Sequence, residues 1–301
     1  MKEDGITFIK WDIKNQFTNL SKKKVIQALK HALNEIQKET KKSNFALRRI
    51  KEEHHSDKIG TGTPRTWTTI SFQEVMQYTI FELENPYIKV GTHIYKQIEG
   101  LPMGGYLSAG LAVIYSMYME NLHQNKWRHI GKKVKWFRYR DDIMAIIQGA
   151  LNIDEIQSIQ AGLQVMYGNE LKVELEYTSN EYSQFLEFQM WHIDDHIKIW
   201  NFNKNINIIH GNSQLENIVR YPEFSADIDK SVLKGMIMGA FIKSIKMANS
   251  FGGQLIGTIE TALELRRKNY PIKWIIRALK VDCKSIIQIK SVLKQTLNLW
   301  R

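Results

Sequence analysis

Cysteine is all but missing from this chain: Cys283 is the single one in 301 residues. An internal disulfide and a zinc site built from several cysteines are therefore excluded, and the composition suits a reducing compartment. A secretory leader is also lacking, because Met1-Lys2-Glu3-Asp4 is polar and charged; the expectation is an intracellular, non-secreted protein. No internal repeat or low-complexity tract is evident. Acids are the minority sign: 31 Asp and Glu against 42 Lys and Arg leave a net charge of +11. That balance suits a polyanionic partner. A charge-free run does occur, from Leu101 to Met119, almost long enough to cross a bilayer. Pro102, Gly104, Gly105, Ser108, Gly110 and Ser116 dilute its apolarity, so a buried helix is expected rather than a membrane span. With 43% hydrophobic residues in 301, the chain can bury a sizeable core in two subdomains.

What is present is a set of acids in telling places. Phe137-Arg138-Tyr139-Arg140-Asp141-Asp142-Ile143-Met144 sets two adjacent acids between apolar, β-prone flanks. Asp tolerates a tight turn, so the run reads as a β-hairpin with Asp141 and Asp142 at or beside its tip. Neighbouring carboxylates repel unless a cation shares them, which makes the hairpin a candidate half of a divalent-metal site. Taken alone, the dipeptide is more often a solvated acidic turn. Thr7-Phe8-Ile9-Lys10-Trp11-Asp12-Ile13 is a second candidate: a strand-like run ending in one acid, followed by a turn and a helix. That helix starts at Ser21, a good N-cap, and carries an apolar stripe of Val25, Ala28, Leu29, Ala32, Leu33 and Ile36. Between the two acidic runs lies Tyr95-Lys96-Gln97-Ile98-Glu99-Gly100-Leu101-Pro102-Met103-Gly104-Gly105. Gly104 and Gly105 allow a backbone to approach another molecule closely.

The rest of the chain organises around these runs. Residues 41–69 are polar, with Gly60, Gly62 and Pro64, and read as a loop or insertion. Ser71 and Glu74 make a capping box for the next helix. A helix is expected near 153–167, strands at 171–177, 184–192 and 197–202, and helices over 230–248, 256–268, 272–280 and 284–299. His54-His55 reads as solvated, and Trp200, beside Ile199, as core.

The order of strand-Asp, Gly-x-Pro-Met-Gly before a helix, and a Tyr-x-Asp-Asp hairpin resembles the palm of reverse transcriptases. More closely it is similar to the Penelope-like retroelement enzymes, whose relatives include telomerase. The first motif stands as Asp12-Ile13-Lys14-Asn15-Gln16-Phe17-Thr18-Asn19, the second as Tyr95, Gln97, Gly100, Met103 and Gly104, and the third as Arg138, Tyr139, Asp141 and Asp142. Downstream, Phe185-Leu186-Glu187-Phe188 and Lys268-Asn269-Tyr270-Pro271 stand where the family has Phe-Leu-Asp-Leu and Arg-Gly-Tyr-Pro. Arg140 replaces a small apolar residue of the family, Glu187 lengthens an acid by one methylene, and Asn203-Lys204 stands where Lys-Pro is usual.

The resemblance implies an α+β fold: a right-hand polymerase palm with an antiparallel sheet and packed helices over residues 1–228, then a mostly helical thumb over 229–301. It implies RNA-directed DNA polymerisation by two Mg2+ ions, with Mn2+ able to substitute. Asp12 and Asp141 would bridge both ions, the Ile13 carbonyl would add a ligand, and Asp142 would be accessory. Phe17 matches the aromatic that excludes a 2′-hydroxyl. Gln97, Met103 and Gly104 belong to the nucleotide-binding motif, and Lys172 is either a cation for the leaving pyrophosphate or a solvated strand-end lysine. Lys243, Lys246, Arg266 and Arg267 are candidate nucleic-acid contacts of the thumb. The partners implied are an RNA template, a DNA primer and deoxynucleoside triphosphates, with no membrane. Only Met1 to Gly5 precede the palm strand, so fingers are largely absent. That leaves three readings open: a fragment, fingers supplied by a separate polypeptide, or a catalytically impaired nucleic-acid-binding descendant.

Overall fold

A computed structural model of the chain describes residues 5–49, 57–63, 65–123, 133–206 and 220–278. The chain divides into two compact units. One comprises residues 10–147 and 151–177, the other residues 1–9, 148–150 and 178–301.

The first part of the chain runs β1 (Ile6–Lys14), α1 (Gln16–Asn19), α2 (Lys22–Thr40), β2 (Asn44–Arg48), β3 (Lys58–Ile59), β4 (Trp67–Ser71), α3 (Phe72–Glu84), β5 (Tyr87–Val90) and β6 (His93–Lys96). It continues as α4 (Ser108–His123), β7 (Val134–Tyr139), β8 (Asp142–Gln148), α5 (Ile153–Tyr167) and β9 (Lys172–Ser179). The central sheet has the order β7-β8-β1-β9. Its two central strands bury apolar residues: Ile9, Trp11 and Ile13 of β1 and Ile143, Ala145 and Ile147 of β8 on one face, with Phe8 and Met144 buried on the other. Trp11 stacks near Trp136 of β7 at 5.7 Å.

Helix ends follow their capping chemistry. Ser71 accepts from the Glu74 amide at 3.1 Å while Glu74 accepts from the Ser71 amide at 2.7 Å, the expected capping box. Asn152 and Glu155 form the same reciprocal pair at the start of α5. Ser21 is the N-cap residue of α2, whose Val25, Ala28, Leu29 and Leu33 are buried.

Two expectations need correction. The polar stretch 41–69 is not a plain loop, because β2 pairs antiparallel with both β3 and β4 in a small sheet. Its strands are too short to show a period, but Phe45 packs on Phe72 at 4.8 Å and ties the sheet to α3. The apolar run 101–119 is likewise not buried on every face. Helix α4 starts only at Ser108 and buries one side through Leu111, Ala112, Tyr115 and Ser116, leaving Met117 exposed. Among the described residues, no helix is long and apolar enough to cross a membrane.

The second unit carries β10 (Tyr182–Phe185), β11 (Phe188–Ile193), β12 (His196–Asn201), α6 (Lys230–Lys246), α7 (Phe251–Arg267) and α8 (Ile272–Ala278). The strand expected over 184–192 is two strands, turned at Leu186-Glu187, where Leu186 takes a φ of 55°. That turn uses neither Gly nor Pro, so no sequence signal marked it. Trp200 is buried as expected and stacks on Trp191 at 6.1 Å. Helix α7 begins earlier than the apolar period suggested, because the Ser250 hydroxyl caps the Gly253 amide at 3.2 Å. Gly253 is required there: a Cβ would lie 2.9 Å from the Ile199 carbonyl oxygen. Leu233, Ile237 and Phe241 of α6 pack with Ala262 and Leu265 of α7 and Ile275 of α8.

Within this unit α7 also buries two acids. Glu264 accepts from Asn203 at 3.1 Å, Asn205 at 2.8 Å and Arg220 at 3.1 Å. Burial pushes the Glu260 carboxyl up to about 7; Arg220 opposes the rise and Glu264 adds to it. The expected helix over 284–299, Cys283 and His54-His55 lie outside the described residues.

Candidate functional site

Strand β1 sorts its side chains by alternation. Trp11 and Ile13 point into the core, so Lys10, Asp12 and Lys14 share the other face. Asn15 then takes a left-handed φ of 52°, which breaks the strand and starts α1. Gln16 turns inward and donates to the Ser116 hydroxyl of α4 at 2.9 Å, holding that turn on the helix. Phe17 is half-buried beside it.

The acidic hairpin forms as expected. Tyr139 pairs with Asp142, leaving Arg140-Asp141 as a two-residue turn. Arg140 adopts a φ of 57°, and its guanidinium lies over the Tyr139 ring at 5.5 Å. The Ile13 amide donates to the Asp141 carbonyl at 2.9 Å, and the Gly149 amide to the Gly5 carbonyl at 2.9 Å. These two bonds make β1 and β8 antiparallel and set Asp12 opposite Asp142. Pairs of that kind, lying between hydrogen-bonded pairs, have Cα atoms ~4.5 Å apart with side chains close. The first acid and the hairpin acids, far apart in sequence, are thus brought to one sheet end.

Ammonium groups already sit among these carboxylates. Lys14 is 2.7 Å from Asp12, and Lys10 is 3.2 Å from Asp142 and 2.7 Å from Glu176 of β9. Burial opposes the charge on Lys10, but Glu176 and Asp142 together hold its pKa above the ordinary value. The bond to Asp12 raises Lys14 likewise. Asp141 is half-buried and makes no ion pair among the described residues. Carboxylates and a backbone carbonyl are the oxygen donors that Mg2+ takes, so Asp12, Asp142 and Ile13 fit it in kind. Among the described residues, no group of three or more His, Cys, Asp or Glu side chains is gathered closely enough to hold a metal ion.

The glycine segment is docked against the first motif. The Leu101 amide donates to the Phe17 carbonyl at 2.6 Å. Gly100 has a φ of +75°, and a Cβ there would lie 2.5 Å from the Thr18 carbonyl oxygen. Gln97 faces its own turn, donating to the carbonyls of Glu99 at 2.8 Å and Leu101 at 3.1 Å, while Lys22 donates to the Gln97 carbonyl at 2.9 Å. Met103 and Gly104 face outward; Met103 is 73% exposed, and a Cβ on Gly104 would meet nothing. The hairpin is braced from behind by Glu120 of α4, which pairs with Arg138 and accepts from the Tyr167 hydroxyl at 2.7 Å. Burial, then Glu120, push the Tyr167 phenol above its usual range.

Lys172 is exposed and 2.5 Å from Glu174. In the second unit, Lys243 is 2.5 Å from Glu187, Arg266 donates to the Tyr270 carbonyl at 3.1 Å, and Lys246 and Arg267 are exposed. Sequence reading missed Lys10, Lys14 and Glu176. The alternation Lys10-Asp12-Lys14 was a usable signal for two of them; Glu176 carried none.

No protein-family model and no curated protein matches the chain. Among solved structures it is similar to telomerase from Candida albicans in complex with a TWJ fragment of telomeric RNA, at 15% identity and a TM-score of 0.54, covering 96% of this chain and 45% of that one. It also matches apo telomerase from Candida tropicalis, at 12% identity and a TM-score of 0.48, covering 96% of this chain and 47% of that one. A human picobirnavirus RNA-dependent RNA polymerase matches at 11% identity and a TM-score of 0.45, covering 100% and 52%. The chain therefore spans about half the length of these proteins. The likeness to the Candida albicans structure shows the fold: α+β, with antiparallel sheets, of the polymerase type.

Proposed function

We propose that this chain is the palm and adjoining thumb of an RNA-directed DNA polymerase of the Penelope-like type, which adds deoxynucleotides to a primer 3′-hydroxyl. One observation carries the reading: Asp12 and Asp142 face each other across β1 and β8, with Asp141 in the turn bonded to Ile13, in a polymerase-type fold.

The residues divide the work. Asp12, Asp141 and the Ile13 carbonyl would hold the metals, and Asp142 would be accessory. Two Mg2+ ions bound there would stabilise the attacking and leaving oxygens of the transfer. Lys10 fixes Asp142 and Glu176 relative to each other. Lys14, at 43% side-chain exposure, neutralises Asp12 and would have to release it for a metal. Phe17 places a ring against the sugar and excludes a 2′-hydroxyl. Met103 and Gly104 present an open surface to the nascent base pair. Lys172 reaches the leaving pyrophosphate once it exchanges Glu174 for phosphate. Template, primer and triphosphates are the substrates, and a separate polypeptide can supply fingers.

The test is primer extension on an RNA template with Mg2+ or Mn2+, with and without added fingers. Asp141→Asn removes one anionic ligand and is expected to abolish extension; unchanged extension sinks the assignment. The lysines on Asp12 and Asp142 favour a second reading, a nucleic-acid-binding descendant that no longer polymerises. Tight duplex binding with no extension under any of these conditions would select it.

A further inference from the structure

Leading into the glycine segment stands a feature that the proposed chemistry does not use. Strands β5 and β6 form a two-stranded hairpin in which every strand residue is exposed. An isolated hairpin is marginal in water, and contiguous exposed apolar surface marks an interaction site. Tyr87 is 60% exposed, Ile94 70% and Tyr95 57%.

The register sorts the hairpin into two faces. Tyr87 pairs with Lys96 and Lys89 with Ile94, so these four share one face; Ile88, Val90, His93 and Tyr95 share the other. The first face offers an aromatic ring and an aliphatic side chain flanked by two ammonium groups. Lys96 lies 5.8 Å from the centre of the Tyr87 ring. No acid occurs from Tyr87 to Ile98. Lys22, at the hairpin's root, has its pKa lowered by burial and then by Lys96, with Glu84 opposing the fall.

The root is fixed while the blade is free. The Gln97 amide donates to the Pro86 carbonyl at 2.9 Å and closes the hairpin, and Lys22 holds the Gln97 carbonyl. Four residues on, Leu101 is bonded to Phe17. The blade is therefore carried on the same short segment that walls the proposed nucleotide site.

We propose that the Tyr87–Lys89–Ile94–Lys96 face binds single-stranded nucleic acid, stacking a base of the unpaired template on Tyr87 and holding the flanking phosphates with Lys89 and Lys96. Aromatic rings with interleaved cations suit a single strand, whose bases expose their faces, and not a duplex, whose bases are already stacked. The inference rests on the polymerase reading and names the part of the substrate that this surface takes.

The experiment compares fluorescent primer–template duplexes with a blunt end or a 5′ template overhang, binding to the full chain. Overhang binding by the wild type is expected to exceed blunt binding. Tyr87→Ala is expected to weaken overhang binding about 5- to 150-fold, from the usual contribution of one stacked base, and to leave blunt binding unchanged. Lys89→Glu with Lys96→Glu is expected to weaken it further and flatten its salt dependence. Both changes are on solvent-exposed side chains, and a thermal melt checks the fold. Equal overhang binding by wild type and variants overturns the inference while leaving the polymerase reading intact. No binding of either duplex by the wild type overturns the polymerase reading itself. A loss of overhang binding in Val90→Ser, on the other face, with none in Tyr87→Ala, would also refute it and place the overhang on the opposite face.

Discussion

Two glycines in the same segment make a controlled comparison. Gly100 and Gly104 both have positive φ, 75° and 88°. Replacing either by Ala forces an L-residue into the left-handed region, at about 1–2 kcal/mol. Both replacements also reduce unfolded-state freedom by the same amount. Only the surroundings differ. At Gly100 the new methyl would lie 2.5 Å from the Thr18 carbonyl oxygen and 2.7 Å from that of Phe17, backbone atoms that cannot rotate away, whereas at Gly104 it meets nothing. Overpacking of that kind costs about 1–3 kcal/mol. Gly100→Ala is therefore expected to destabilise by roughly 2–5 kcal/mol and Gly104→Ala by roughly 1–2 kcal/mol. Urea unfolding of both variants beside the wild type measures the difference. Hydrogen exchange at the Leu101 amide, which bonds Phe17, reports whether the contact itself opens. Equal costs at the two positions, or unchanged exchange at Leu101 in Gly100→Ala, would refute the close approach.

Phe17→Ala is expected to raise ribonucleotide relative to deoxynucleotide incorporation, read as the ratio of the two specificity constants; an unchanged ratio removes Phe17 from the sugar site. Glu260 has a folded pKa raised from 4.5 to about 7, so its protonated form suits the fold and stability is lost as pH rises through about 7. That rise corresponds to roughly 3 kcal/mol at most, so Glu260→Gln is expected to stabilise the protein at pH 8 and to change little at pH 4, in urea unfolding at the two values. Affinity for a primer–template duplex is expected to fall steeply with salt, from released counterions, and to survive Asp12→Asn. Lys246→Ala, at an exposed residue, is expected to lessen that slope more than Lys243→Ala, because Lys243 is already bound to Glu187; a flat salt response would assign the positive charge to solubility.

Where local chemistry sets the structure, the sequence was legible. The Ser71–Glu74 box, the Ser21 start of α2, the helix over 153–167 and the acidic hairpin all follow from side chains within a few residues of one another. Where a distant partner decides, it was not. Asn44–Arg48 became a strand because Trp67–Ser71 pairs with it. Leu186 turns because β10 and β11 pair across it. At the candidate site, the motif order singles out the three acids, but that Lys10 joins Asp142 to Glu176 depends on β9 lying beside β1, which no local pattern encodes.

The strand order β7-β8-β1-β9 has a consequence for how the chain is made. Strand β1 ends at Lys14, yet its two neighbours are residues 142–148 and 172–179. At about 5–20 residues per second, a ribosome takes roughly 8–30 s to reach β9 after releasing β1. Until β8 is made, an apolar strand, Ile6–Lys14, waits with both edges open, and until β9 is made with one, the situation in which chains pair wrongly with one another. Lys10, Asp12 and Lys14 interrupt it at every second position, so the charges of the site also guard the nascent strand against aggregation.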